Sequence, residues 1–258
     1  MQATQAEFGE QLRGWRRRRR MSQLDLALEA EISSRHLSFV ETGRSRPSRD
    51  MVLRLAETLD VPLRARNAML VAAGLAPQFP ERDLDDPALA PARKVIDLIL
   101  KGHEPFPALA VDRHWNLVAH NGSVAPFLAG VAPHLLEPPS NVLRLSLHPQ
   151  GLAPRIANLA EWKGHLLERL RDQHAVSGDA GLLALRDELA AYPGGGDAGE
   201  RGDYGGIAVP MVIEAEGRRL SFLSTTTVFG TPVEVTLSEI AIEAFFPADE
   251  ETAAALRP

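Results

Sequence analysis

Through residues 1–75, apolar side chains recur every three or four positions between short polar breaks, a pattern that predicts helices rather than strands. Phe8, Leu12 and Trp15 set the spacing of a first helix, from about Gln5 to Arg20. A second opens at Ser22, where "SQLD" spells a capping box: the hydroxyl accepts from an N-terminal amide and Asp25 reaches back. Leu24, Ala27 and Leu28 are its expected apolar face, and the small Ala27 should let the next helix approach closely. After the turn "EIS", Ser33 caps a third helix with Leu37 and Val40 facing inward. Thr42-Gly43 ends it, glycine serving as the left-handed stop. Ser48 caps a fourth helix with the stripe Met51, Val52, Leu55, Ala56 and Leu59, and a fifth runs from about Leu63 to Ala73.

The pattern changes after Pro77. "PQFPERDLDDPALAP" is rich in proline and acid and reads as a linker. "ARKVIDLILKGH" is a helix, "PALAVDRHWNLVAHN" an extended pair turning near Asp112-Arg113, and "GSVAPFLAGV" a helix. "PRIANLAEWKGHLLERLRDQ" is strongly amphipathic, with Ile156, Leu159, Leu166, Leu167 and Leu170 on one face. "LLALRDELAAY" is a further helix. From Val209 to Asp249 the chain reads as a strand, a turn at Glu216-Gly217, a second strand and one or two more, with Leu220 and Phe222 alternating with polar neighbours. Strands with helices segregated between them predict an α+β domain.

Charge sharpens this division. Residues 1–75 carry 13 Lys and Arg against 9 Asp and Glu; the remainder carries 15 against 25. A basic head would be attracted to phosphates and an acidic body repelled by them. The 258 residues contain no cysteine, which removes disulfides and thiolate sites and fits a reducing cytoplasm. The N-terminal twenty or so residues have no apolar core before their arginines, so no secretory signal is expected there, and no apolar run approaches the roughly 20 residues that span a bilayer.

Two short helices joined by a tight turn inside a five-helix bundle form a helix-turn-helix unit, whose second helix enters the major groove by its N-terminal residues. That explains the polar, cationic start of "ISSRHLSFVETGR". Ser33, Ser34, Arg35 and His36 are the expected base readers, Arg35 foremost, since a guanidinium can bond guanine O6 and N7 together. Phe39, one turn on, would touch a thymine methyl or pack in the core. Arg44 and Arg46 in the following loop are expected to reach the DNA backbone.

"SQLDLALEAEISSRHLSFVETGRSRPS" resembles the Xre/Cro-type helix-turn-helix family through Ser22-Gln23, Leu26-Ala27, Leu37, Val40-Glu41, Gly43 and Pro47. The resemblance implies an all-α, five-helix, lambda-repressor-like domain, a phosphate contact from Gln23, and a structural Arg16–Glu41 ion pair. Arg20 and Glu31 depart from it, standing where the family usually has glycine. "PALAVDRHWNLVAHN", "NVLRLSLHP" and the long string ending "AIEAFFPAD" resemble the ligand-binding domain of MmyB-like transcription regulators. That resemblance implies a PAS-like sensor domain binding a fatty acid or similar apolar molecule. The division expected is then 1–75 for DNA binding, 76–91 for the linker and 92–258 for ligand binding.

A lipid needs a mostly apolar cavity with one or two polar groups. Trp115, Leu117, Phe127, Trp162, Phe222 and Phe229 are candidate walls, or ordinary core. Arg144, between Leu143 and Leu145, could clamp a carboxylate in bidentate fashion, or sit on a strand alternating at the surface; Asn121 and His148 are further polar candidates. "GGGDAG" at 194–199 fits a dinucleotide fingerprint in letters but lacks the strand before and the helix after it, so a flexible loop is expected; "RGD" at 201–203 and the sequon "NGS" at 121–123 carry no function in a cytoplasmic chain. No histidine spacing suits a metal, and no nucleophile elbow or phosphate loop occurs. The expected function is a non-enzymatic, sequence-specific transcriptional regulator without membrane insertion. Its expected partners are double-stranded DNA, a second copy of itself and a small apolar ligand. A C-terminal domain serving only dimerisation or protein interaction is the alternative.

Overall fold

The computed structural model describes residues 2–194, 209–215 and 217–257. Most of "GGGDAG", all of "RGD" and Glu216 lie outside the described residues. The chain divides into two compact units: one built on residues up to Arg82, the other on residues from Asp83 onward, apart from the short segments 175–177 and 232–235, which group with the first.

The first unit holds α1 (Gln2–Arg18), α2 (Gln23–Glu29), α3 (Ser34–Glu41), α4 (Arg49–Thr58) and α5 (Leu63–Ala72). Their starts are chemical. Ser22, Ser33 and Ser48 each accept a hydrogen bond from the amide three residues on, and Ser22 with Asp25 completes the capping box. Phe8, Leu12, Leu26, Leu37, Val52 and Leu55 meet in one fully buried core. The apolar face of α2 differs from the sequence expectation. Ala27 is buried, but its companions are Leu26 and Ala30, while Leu24 and Leu28 are 56% and 68% exposed. Leu24 and Leu28 are spaced at i,i+4, the correct helical period, and only packing against α3 and α4 decides which of two apolar stripes turns inward.

Arg20 and Glu31, the two departures from glycine, both adopt left-handed backbone, at φ 56° and 53°. The turn is therefore kept, and the strain is accepted at a cost of about 1 kcal/mol per residue. The proline-rich stretch after α5 is anchored at its start: the Asn67 side chain donates to the Phe79 carbonyl and accepts from the amides of Gln78 and Phe79.

The second unit continues with α6 (Ala90–Gly102), β1 (Ala108–Val111), β2 (Leu117–His120), a 3-10 segment (Gly122–Leu128), α7 (Pro133–Leu136), α8 (Val142–Leu147), α9 (Leu159–Ser177), α10 (Ala180–Ala191), β3 (Met211–Ala215), β4 (Arg218–Val228), the single turn α11 (Val235–Ser238), β5 (Ala241–Pro247) and α12 (Glu250–Leu256). The strands form one antiparallel sheet in the order β2-β1-β5-β4-β3. In β1, Ala108 and Ala110 point to one face, where Ile96 and Leu100 of α6 pack on them. Small residues there let the helix lie close. Val111 points to the opposite face, as do Ile213, Leu220 and Phe222, under Trp162, Leu166 and Leu170 of α9. Strand alternation thus builds two cores on one sheet.

Three elements differ from the sequence expectation. "GSVAPFLAGV" forms only a 3-10 segment, with Pro126 inside it. Arg144 lies on α8, a helix rather than a strand. Ile156 precedes α9 and bridges to Ile213 instead of sharing the helix face. The terminal helix α12, capped by Asp249 through the Thr252 amide, is an addition.

Candidate nucleic-acid interface and ligand cavity

Helix α3 is fixed from below. The Glu41 side chain is fully buried and holds Arg16 by two hydrogen bonds, Nε to Oε1 at 2.6 Å and Nη2 to Oε2 at 3.0 Å. Burial pushes this carboxyl up, but the bonds from Arg16 and Gln23 and the charges of Arg16 and Arg13 outweigh it, leaving Glu41 below its ordinary range. The backbone of α3 also rests on α1 directly. A Cβ on Gly9 would stand 2.3 Å from the Glu41 carbonyl oxygen, so only glycine fits. Arg13 donates to that same carbonyl at 3.1 Å.

This base presents the other end of α3 to solvent. Ser33, Ser34 and Arg35 are exposed at its first turn, and Phe39 is half-buried. The Arg35 guanidinium stacks over the Phe39 ring, 5.5 Å from its centroid, so Phe39 supports Arg35 at the exposed first turn. His36 is half-buried with Nε2 3.3 Å from the Met51 sulfur, against α4 rather than beside Arg35. Gln23, expected on a phosphate, donates its amide to Glu41 at 2.6 Å; its side chain belongs to the buried network. Arg44 is exposed in the loop, and Arg46 donates to the Gly74 carbonyl at 3.1 Å.

In the second unit a cavity of about 100 Å³ lies between α8, α9 and the sheet. Trp115, Leu117, Phe127 and Trp162 are among the residues that line it. Phe222 stands behind the lining, edge-on to Phe127 with centroids 5.7 Å apart. Phe229 packs in the other core, with Ile242. The three polar candidates lie elsewhere. Arg144 makes a bidentate pair with Glu188, both bonds 2.7 Å, and Tyr192 donates to the same carboxylate at 2.6 Å. Burial and that bond push the Tyr192 phenol up to about 12. Asn121 is a structural peg, accepting from the Ala108 amide and donating to the carbonyls of Leu100 and Phe106. His148 sits edge-on to Tyr192 and His134.

The cavity's own polar group was not singled out in the sequence. Arg169 of α9 and Glu243 of β5 both line it and pair through two bonds, 2.6 and 3.0 Å; Thr226 donates to the same carboxylate at 2.8 Å. Glu243 is 3% exposed. It points inward because β5 alternates: Ile242 and Ala244 face α6, which leaves Glu243 and Phe245 on the cavity side. The Arg169 guanidinium lies 4.5 Å above the Trp115 ring. Trp115 itself holds φ 67°, a conformation costly for a bulky residue. The Asp112 carboxylate fixes that turn by accepting from the amides of His114 and Asn116, and the indole nitrogen donates to Gln173 at 2.9 Å. An aromatic wall is thereby aimed into the cavity by a strained turn.

Comparison with known proteins bears on both units. A family model described as the MmyB-like transcription regulator ligand binding domain matches residues 92–258. A helix-turn-helix domain model matches residues 7–69. No curated protein matches. Among solved structures, the clp gene regulator ClgR from C. glutamicum is 22% identical over 28% of this chain and 88% of its own, with a TM-score of 0.25.

Proposed function

The chain belongs to the MmyB-like transcription regulators, and from that premise we propose that it is a ligand-responsive repressor acting as a homodimer on a pseudo-palindromic operator. It is a DNA-binding helix-turn-helix regulator with a ligand-binding domain. In the proposed mechanism two α3 helices enter successive major grooves, roughly 34 Å apart. Ser33, Ser34 and Arg35 read base edges with Phe39 beneath Arg35, while Arg44 and Arg46 position the backbone. The sheet order β2-β1-β5-β4-β3 supports a PAS-like reading of the second unit, and the capped, tightly turned bundle supports a lambda-repressor-like reading of the first.

The observation that carries the ligand half is the apolar cavity walled by Trp115, Phe127 and Trp162. A fatty acid or similar apolar molecule that prefers one conformer of this domain would shift the protein toward that conformer and change its DNA affinity. The test is extraction of the purified full chain, prepared without detergent, with organic solvent, followed by mass spectrometry. A stoichiometric apolar compound supports the reading. Failure of every apolar probe to bind would sink it. It would favour the second reading, a dimerisation module, for which the exposed Val95, Leu98 and Ile99 of α6 speak (43%, 61% and 39% exposed).

A further inference from the structure

The arginine run at the end of α1 divides by partner. Arg16 binds the Glu41 carboxylate and donates Nη1 to the Met21 carbonyl at 2.9 Å. Arg19 donates to the carbonyls of Leu59 and Asp60, both at 2.7 Å. The Arg18 guanidinium lies 5.4 Å from the centroid of the Trp15 ring. Arg17 and Arg20 are left. Both are exposed, and neither has a partner among the described residues.

Arg20 is held where an arginine is costly. The Met21 amide donates to the Arg16 carbonyl at 3.1 Å, and the Arg20 amide to the Arg17 carbonyl at 2.9 Å. These two bonds are the Schellman closure of a helix, whose left-handed residue is ordinarily glycine. Arg20 fills that place at φ 56°. Helix-end electrostatics does not account for it, because Arg16, Arg17 and Arg18 already set cations in the last turn of α1. Glu31 and Asp60 close α2 and α4 by the same pair of bonds, at φ 53° and 47°. The closure therefore tolerates residues of either charge, and among these strained helix ends Arg20 alone is a cation.

Place matters as much as charge. Arg17 follows Arg13 at i,i+4, on the face of α1 from which Arg13 reaches the Glu41 carbonyl. Met21, next to Arg20, is tied through Arg16 to the Glu41 carboxylate. Arg17 and Arg20 therefore flank the end of α3 that holds Glu41. A recognition helix in a major groove has a phosphate backbone along each side, and the helix before it crosses one of them. The side chains at the start of α2 are already used there: Gln23 donates to Glu41 at 2.6 Å, and Ser22 accepts from the Asp25 amide at 3.1 Å.

We propose that Arg17 and Arg20 form a phosphate-binding site for duplex DNA at the α1–α2 turn, separate from Arg44 and Arg46 in the loop after α3. Arg20 takes the contact that the tied Gln23 leaves open, and its left-handed backbone is the strain that this placement carries. The assignment rests on the reading above in which α3 enters the major groove. It adds a second cationic contact, supplied by α1 and the turn that follows it.

The test is fluorescence anisotropy of the full chain on a labelled duplex selected from a random DNA pool, at salt from about 50 to 200 mM, with a thermal melt of every variant. Arg20→Gly relieves the left-handed backbone, so the melting temperature should hold or rise. DNA binding should nevertheless weaken about fivefold, with a salt slope smaller by about one. Adding Arg17→Gln should lower the slope by about one more, and Arg20→Lys should keep it. Glu31→Gly relieves the same strain at the other end of α2 and should leave the slope as it is. A wild-type slope for Arg20→Gly, with Arg35→Ala still reducing preference for the selected duplex, overturns the phosphate site alone. An equal fall for Glu31→Gly traces the effect to turn geometry and overturns it too. Arg20→Gly and Arg35→Ala both without effect overturn the site together with the groove reading.

Discussion

The Arg16 guanidinium and the Glu41 carboxylate face each other in bidentate fashion across α1 and α3, with the carboxylate wholly buried. This pair sits at the opposite end of α3 from Ser33, Ser34 and Arg35, the proposed base readers, and sets the helix's height and rotation. Glu41→Ala should cost about 3–5 kcal/mol, because it leaves Arg16 and Gln23 facing an empty buried site. Urea unfolding of the full chain measures this as an early fall in the first unit's transition; a curve matching wild type contradicts it. The pH dependence has a definite sign. The folded Glu41 pKa lies below the unfolded one, so its contribution is complete above about pH 5 and is lost as pH falls through the folded value. Glu41→Gln should flatten that acid limb.

Gly9 makes the same contact from the backbone side. Gly9→Ala places a methyl group against the Glu41 carbonyl, where the neighbour is main chain and cannot rotate away. A loss of about 1–3 kcal/mol is expected, with DNA affinity falling as well because α3 must shift. A substitution that leaves both the melting temperature and DNA binding unchanged would show that α1 and α3 are not in contact there.

Arg35 and Arg44 should separate specificity from affinity. Arg35→Ala removes the proposed reader and should cost about 1–3 kcal/mol of discrimination at one base pair. Arg44→Ala should weaken binding to all sequences alike and reduce the salt slope by about one. Competition binding against a library of single-base operator variants at two salt concentrations distinguishes them. Identical profiles for the two variants would remove the assignment.

Glu243 is the buried carboxylate of the second unit. Glu243→Ala leaves Arg169 unpaired beside Trp115 and should lower the stability of that unit by about 3–5 kcal/mol, read as a lower denaturation midpoint with an unchanged slope. Restoring the midpoint with Arg169→Met in the same chain would identify the unpaired charge as the cause. Failure of that second change to restore anything would point to lost packing instead.

Much of the first unit was legible from the sequence because its signals are local. Ser22, Ser33 and Ser48 announce helix starts through their own hydroxyls, and the Gly43 stop takes the left-handed backbone it suggests. The buried side of α2 was not legible, since Leu24 and Leu28 fit a helical period as well as Leu26 and Ala30 do. Gly9 gave no local sign; its role arises from α3, some thirty residues away. In the second unit Trp115, Phe127, Trp162 and Phe222 could be expected in the interior because large apolar residues find the core. The polar residues could not, because their roles depend on partners distant in the chain. Arg144 looked like a clamp beside two leucines, but Glu188 from α10 satisfies it. Arg169 carries no local sign of its role on an amphipathic helix, and β5 places Glu243 opposite it. The one available clue was the period-2 register of "AIEAFF", which puts the glutamate on the same face as the first phenylalanine.

The most direct measurement of ligand-responsive DNA binding is an anisotropy titration of the full chain on an operator selected from a random DNA pool, with and without saturating dodecanoate. Coupling between the two units predicts that dodecanoate changes the Kd for the operator by at least about fivefold, with weaker binding if the protein is a repressor released by its ligand. An unchanged Kd, with dodecanoate shown by calorimetry to be bound, would contradict that coupling.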